Sequence, residues 1–297
     1  MKKFAGLFYF LLGTALTIFI FSQTSFKERK ARPDYQWHAP EIPGQLSFAG
    51  EKVPLDRWEV RERLDREILF NSYNHANMIF LMKLANRYFP VISERLKLNG
   101  VPDDFKYLCV AESNLLSGAV SRAGATGFWQ FMDGTAPGYG LRTNSQVDDR
   151  HDIIRSTDAA CQYLKSAYQK FGSWTAAAAS YNCGQGGYNG QATFQGSMNY
   201  YDLLLPEETN RYIFRILAFK HIIENSEDYG FVLDEADKYH PVPYRTVRVT
   251  SSIPNLAQFA RENGTTFKIL RLMNPSLRGR SLTVPNGGSF EIKLPVK

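Results

Sequence analysis

Cysteine, histidine and long apolar runs are all scarce in this chain of 297 residues. Three cysteines, Cys109, Cys161 and Cys183, form an odd set whose spacing fits no zinc pattern, and small buried thiols are the simpler reading than a disulfide. Five scattered histidines without a His-Glu-x-x-His pair give no metal site, and no cofactor is expected. Charge of one sign is scarce too: 35 Lys+Arg against 29 Asp+Glu leave +6, which suits an anionic surface or polymer. That excess is too mild and too dispersed for a nucleic-acid partner. One run alone, Phe4 to Phe21 behind Lys2 and Lys3, is long enough to cross a bilayer. Residues 1–21 are therefore read as a signal or membrane anchor with the lysines on the cytoplasmic side. No small-x-small cleavage site follows, which favours an anchor that is kept.

What is present is a large apolar inventory, 44% of residues with 14% aromatic, enough for a full core. Residues 22–54, with Pro33, Pro40, Pro43, Pro54 and a basic cluster at Lys27, Arg29, Lys30 and Arg32, read as an extended tether. Helical periodicity starts at "PLDRWEVRERLDREILF" and continues through "NMIFLMKLANRYF", where Pro90 predicts a break before a second short helix to Leu98. Further helices are predicted from Pro102, at 155–171 closed by Gly172, at 173–182, and at about 206–224. No run of alternating strands occurs between 76 and 224, so residues 55–238 are expected to be an all-α domain. After "YHPVPY" the pattern changes to strand, two short helices and strand, a βααβ module over residues 239–297.

In "KYLCVAESNLLSGAVSRAGATGFWQFM" one carboxylate, Glu112, ends an apolar run. On a helix from Pro102 it shares a face with Phe105, Leu108 and Cys109, and desolvation there raises a carboxyl toward the range of a general acid near neutral pH. A glutamate fraying into water is the plain alternative. The loop that follows supplies Gly124 and Gly127, the aromatic faces of Phe128 and Trp129, and the amide of Gln130, chemistry suited to a sugar ring with its acetamido group. A second cluster, "WTAAAASYNCGQGGYNGQ", delivers Tyr181 and Asn182 from a small-residue helix to a Gly- and Gln-rich loop.

"AES" at 111–113, "GATGFWQFM" at 124–132 and "AAASYNCG" at 177–184, in that order, resemble the three motifs of the soluble-lytic-transglycosylase catalytic domain. Flanking segments such as "VPLDRWEVRERLDREI" and "LLLPEETNRYIFRILA" resemble more narrowly the membrane-bound lytic murein transglycosylase D group. The C-terminal module is similar to a LysM domain, with Ile253-Pro254-Asn255 where Gly-Asp-Thr is usual. The resemblance implies a mainly α fold: a lysozyme-like helical catalytic domain with a small βααβ, LysM-like C-terminal domain. It also implies a bacterial envelope enzyme on the periplasmic side, anchored in the inner membrane or exported, that acts on peptidoglycan glycan strands without a cofactor.

By resemblance Glu112 is the catalytic acid/base, and Ser121, Gln130, Tyr181 and Asn182, with Phe128 beside them, contact the substrate. The implied chemistry cleaves the MurNAc–GlcNAc β-1,4 bond and closes a 1,6-anhydroMurNAc ring, with one carboxylate sufficient because the substrate's C6 hydroxyl is the nucleophile. A hydrolytic muramidase would need a second carboxylate, for which Asp133, Asp148 and Asp149 are the nearest candidates. A non-catalytic peptidoglycan-binding scaffold would tolerate loss of Glu112. Residues 244–297 are expected to add retention on the wall rather than chemistry.

Overall fold

A computed structural model describes residues 38–296. The expected anchor at 1–21 and most of the tether lie outside the described residues, among which no helix is long and apolar enough to cross a membrane. The described end of the tether is not wholly extended. Ser47–Phe48 (β1) and Glu51–Lys52 (β2) close a small hairpin that buries Phe48 edge-on against Phe105 at 5.1 Å.

Among the described residues six helices build the larger core: Trp58–Ser72 (α1), His75–Leu98 (α2), Phe105–Ser113 (α3), Ile153–Phe171 (α4), Trp174–Gln195 (α5) and Glu207–Glu224 (α6). The predicted break at Pro90 does not occur, and α2 runs through it. Proline there removes one helix hydrogen bond, but the apolar face of Met78, Leu81, Ala85, Ile92 and Leu96 is buried on both sides of it, and that burial outweighs the loss. Helix α3 starts three residues later than expected, because Pro102 to Asp104 form a tighter opening turn. Asp104 stands at the N-cap position, but its side chain makes no capping bond; it accepts from Ala49 N at 2.7 Å and Lys220 Nζ at 2.7 Å, tying hairpin to α6.

The predicted loop after residue 182 is instead a second helical segment of α5, set off from the first by a kink at Gly184. Only Gly184 departs from helical geometry, at φ 76° and ψ 147°, a conformation open to glycine. Helix α5 starts on Ser173, whose hydroxyl accepts from Ala176 N, and on Glu51, whose carboxylate accepts from Trp174 N at 2.6 Å and Thr175 N at 2.9 Å. An anion at an N-terminus satisfies the free amides and complements the helix dipole. Helices α1 and α6 pack together, α3 lies on α6, and α4 pairs with α5.

The C-terminal module is realised as Tyr244–Val249 (β3), Leu256–Glu262 (α7), Phe267–Met273 (α8) and Phe290–Pro295 (β4). β3 and β4 pair antiparallel from Tyr244↔Pro295 to Val249↔Phe290. Asn255, in the place of the usual Gly-Asp-Thr, caps α7 by accepting from Ala257 N and Gln258 N. This module has its own apolar core around Leu256, Leu270, Ile292 and Leu294, and one residue of that core, Val147, comes from the loop between α3 and α4. The fold is thus mainly α with a small βααβ end, as expected.

Candidate active site

Glu112 lies in the last turn of α3, which stops at the left-handed Asn114 (φ 51°). Phe105, Leu108 and Cys109 on the same face are wholly buried, and Glu112 itself is half-buried. Burial pushes its carboxyl up from the ordinary 4.5 to about 7. The hydroxyl of Tyr212, on α6, donates to Glu112 Oε1 and pulls the other way; Glu208 raises and Arg215 lowers the balance slightly. Arg215 is itself held back by Glu67, a buried carboxylate of α1 that lies 2.7 Å from Arg211 and 3.9 Å from Arg215. The acid therefore keeps its proton near neutrality with two cations on the neighbouring helix already engaged.

The loop after α3 folds back on itself. Ser121 is exposed and opens a turn in which its Oγ accepts from Ala125 N at 3.0 Å. Gly127 has φ +82°, and a Cβ there would lie 1.9 Å from the Arg150 carbonyl, so the glycine lets two backbones touch. Gln130 is also left-handed (φ 49°) and is pinned there by its own side chain, whose Nε2 donates to Gly127 O at 2.8 Å and Ala119 O at 3.2 Å. Its amide oxygen takes no hydrogen bond from the described residues.

Helix α5 brings Tyr181 across this loop. Its hydroxyl donates to Trp129 O at 2.8 Å, its ring meets Trp129, Phe131 and Tyr163 edge-on, and the nearby Glu112 charge adds to the burial that holds its hydroxyl pKa well above normal. Asn182 is half-buried and accepts from Thr209 Oγ1 at 2.7 Å. Four of the expected substrate residues thus fall on the loop after Glu112 or on α5.

Phe128 does not. Its ring is 1% exposed and packs edge-on against Tyr88 at 5.1 Å, so it has no face to offer a sugar; its carbonyl instead accepts from Ser113 Oγ at 2.8 Å. An apolar ring between two buried neighbours, Gly127 and Trp129, is driven inward by the same burial that fixes the loop. Trp129 is also interior and spends its indole N–H on Thr157 Oγ1 at 2.9 Å.

The candidate second acids are engaged elsewhere. Asp149 is fully buried and binds Arg142 through both oxygens, at 2.7 and 3.0 Å. Burial raises Asp148, but hydrogen bonds from Arg150 outweigh it and hold the carboxyl below the usual carboxylate range. Asp133 is largely in solvent, 3.5 Å from Arg150. No cluster of His, Cys, Asp and Glu that could hold a metal exists among the described residues, and the three cysteines are free thiols. A concavity of about 500 Å³ between α2 and the segment after α6 is lined by Met82, Phe89, Phe231 and Leu233 and by none of the site residues.

Two residues that sequence reasoning missed complete the site. Tyr212, the hydrogen-bond partner of Glu112, reads in sequence as one more core aromatic of an amphipathic helix. Glu51, which caps the helix carrying Tyr181 and Asn182, sits in a stretch whose prolines suggested a tether.

With this geometry in hand, similarity to known proteins is informative. Residues 89–202 match the transglycosylase SLT domain, and residues 245–297 match the soluble lytic transglycosylase C-terminal LysM-like domain. The chain is 28% identical over 245 residues to membrane-bound lytic murein transglycosylase D of Escherichia coli (strain K12), covering 80% of this chain and 52% of that protein. The protein of the same name from Escherichia coli O6:H1 gives the same figures. The chain spans about half the length of these curated relatives. An X-ray structure of an inactive mutant of lytic transglycosylase Slt from Pseudomonas aeruginosa aligns with TM-score 0.38 and 21% identity, over 51% of this chain and 26% of that one. The chain therefore carries a transglycosylase SLT domain followed by a soluble-lytic-transglycosylase C-terminal LysM-like domain.

Proposed function

We propose that the protein is a peptidoglycan lytic transglycosylase of the bacterial envelope. It cleaves the MurNAc–GlcNAc β-1,4 bond and leaves 1,6-anhydroMurNAc ends. The observation that carries this reading is the state of Glu112: a single carboxyl raised to about 7, oriented by Tyr212, beside a loop and helix bearing Ser121, Gln130, Tyr181 and Asn182. Protonated, Glu112 donates to the glycosidic oxygen as the bond breaks. The acetamido group supports the positive anomeric carbon, and the ionised Glu112 then accepts the proton of the C6 hydroxyl as that oxygen closes on the anomeric carbon. Ring closure is intramolecular, and good orientation of the hydroxyl is worth several kcal/mol over attack by bulk water. With Asp148 and Asp149 tied to arginines, neither is free to activate water. Ser121, Gln130, Tyr181 and Asn182 are assigned to substrate contact. The N-terminal segment is assigned to holding the enzyme at the inner membrane, within reach of murein.

Digestion of purified peptidoglycan in oxygen-18 water, followed by mass spectrometry of the muropeptides, tests the reading. Anhydro ends lacking the label, lighter than hydrolysed ends by about 18 Da for one water, are expected. Labelled reducing ends as the main product would replace this reading with a muramidase, with Asp133 the first candidate base. No cleavage by the folded protein would leave a binding scaffold.

A further inference from the structure

Between α3 and α4 the chain makes a tight excursion at residues 142–149. Asn144 closes it, its Oδ1 accepting from Gln146 N and Val147 N, both at 2.9 Å, and Thr143 bridges Asp148. The tip of this excursion is built into the C-terminal module. The Gln146 carbonyl accepts from Arg278 N at 2.7 Å, and its side chain donates to Ser281 Oγ and accepts from Thr283 N, each at 3.0 Å. Val147 bridges Leu277 and is 4% exposed inside the module's core, Asp148 N donates to Ser276 O at 2.8 Å, and the Arg142 guanidinium lies 4.5 Å over the Phe290 ring.

The base of the same excursion supports the loop of the candidate active site. Asp148 holds Arg150 through two hydrogen bonds, at 2.9 and 2.8 Å, and Arg150 Nη1 donates to Phe131 O. The Arg150 backbone is the surface against which Gly127 packs, and His151 Nδ1 lies 2.5 Å from Ser117 O. Both ends of the loop 117–131, which contains Ser121 and the left-handed Gln130, thus rest on residues 148–151. We propose that the LysM-like module is a positioning element of the active site: by binding Gln146, Val147 and Asp148 it holds the residues that set the loop bearing Ser121 and Gln130. A module serving retention alone would meet the helical core through a replaceable polar surface. Here an apolar side chain from the helical half lies in the module's interior, and a chain ended near residue 238 would expose it.

Hydrogen–deuterium exchange and kinetics on soluble glycan, on the full chain, test this. Gln146→Ala deletes both side-chain hydrogen bonds to the module and touches no site residue. Exchange at the amides of Gly124, Gly127 and Gln130 is expected to quicken about tenfold, with α5 unchanged. In parallel kcat/KM should fall by about tenfold without displacement of the pH limb of Glu112. Gln146→Glu keeps an acceptor for Thr283 N and Ser281 Oγ–H and should restore both. Faster exchange confined to residues 276–283 would overturn the proposal, as would an unaltered kcat/KM. Should Gln146→Ala fail to fold, Ser281→Ala removes one of the two bonds from the module side and is read by the same criteria. The kinetic arm rests on the transglycosylase reading; the exchange arm does not, and stands if no anhydro product is found.

Discussion

Replacing Glu112 by Gln should make the protein more stable as it makes it inactive, and by an amount that depends on pH in a definite way. The carboxyl sits at about 7 in the folded chain and at the ordinary 4.5 when unfolded. Between those values the folded chain holds a proton that the unfolded chain has lost, so stability falls as pH rises across the window and levels off above it. At about 1.4 kcal/mol per pH unit the gap is worth about 3 kcal/mol at pH 8, an upper figure because the carboxyl keeps an edge in water. Gln cannot ionise, still accepts from Tyr212, and is free of this penalty. Urea unfolding of wild type and Glu112→Gln, followed by tryptophan fluorescence, should show the variant ahead by up to about 3 kcal/mol at pH 8. At pH 4.5, where both side chains are neutral in the fold, the curves should nearly coincide. In melting temperature the gap at pH 8 corresponds to roughly 6–12 °C for a domain of this size. Turnover of the folded variant should be under about a tenth of wild type. A stability difference equal at both pH values, or a variant less stable at pH 8, would refute the argument that burial raises this carboxyl.

Two other substitutions probe the same site. Tyr212→Phe removes the hydrogen bond that lowers the Glu112 pKa, so the alkaline limb of the pH–rate profile should move up by about one unit with a reduced kcat; a limb that stays or moves down would count against the pairing. Gly127→Ala forces a Cβ into the Arg150 carbonyl at a positive φ, and should cost more than about 3 kcal/mol or prevent folding; near-wild-type denaturation would show that the loop can relax.

Much of this site was legible in local pattern. The apolar face of Phe105, Leu108 and Cys109 below Glu112 follows from helical spacing alone, and the βααβ order after "YHPVPY" is visible in the change of period. What local pattern could not convey was direction and distance. Phe128 and Gln130 share one short loop, yet one ring turns into the core and one amide stays half-exposed, a choice made by packing against Tyr88 rather than by propensity. Tyr212 is 100 residues from Glu112 and Glu51 is 123 from Trp174, so neither pairing leaves a spacing signal. Pro90 is a strong local breaker that a long buried helix face overrode, whereas Gly184 does interrupt α5, with helix resuming after the kink. In the region called a tether, the prolines concealed a hairpin whose Phe48 is fully buried.

The position of Tyr212 on α6 has a consequence for how portable this chemistry is. The stretch that matches the SLT domain ends at residue 202, before α6 begins at Glu207, and starts at residue 89, after α1 has ended. An excised fragment with those ends would hold Glu112 but neither its phenol partner nor the seam of Leu64, Ile68, Ile213 and Leu217 that closes the core behind it. Similarity marks where the motifs lie. Any piece transplanted with its acid correctly poised has to include the Phe48 hairpin and α6.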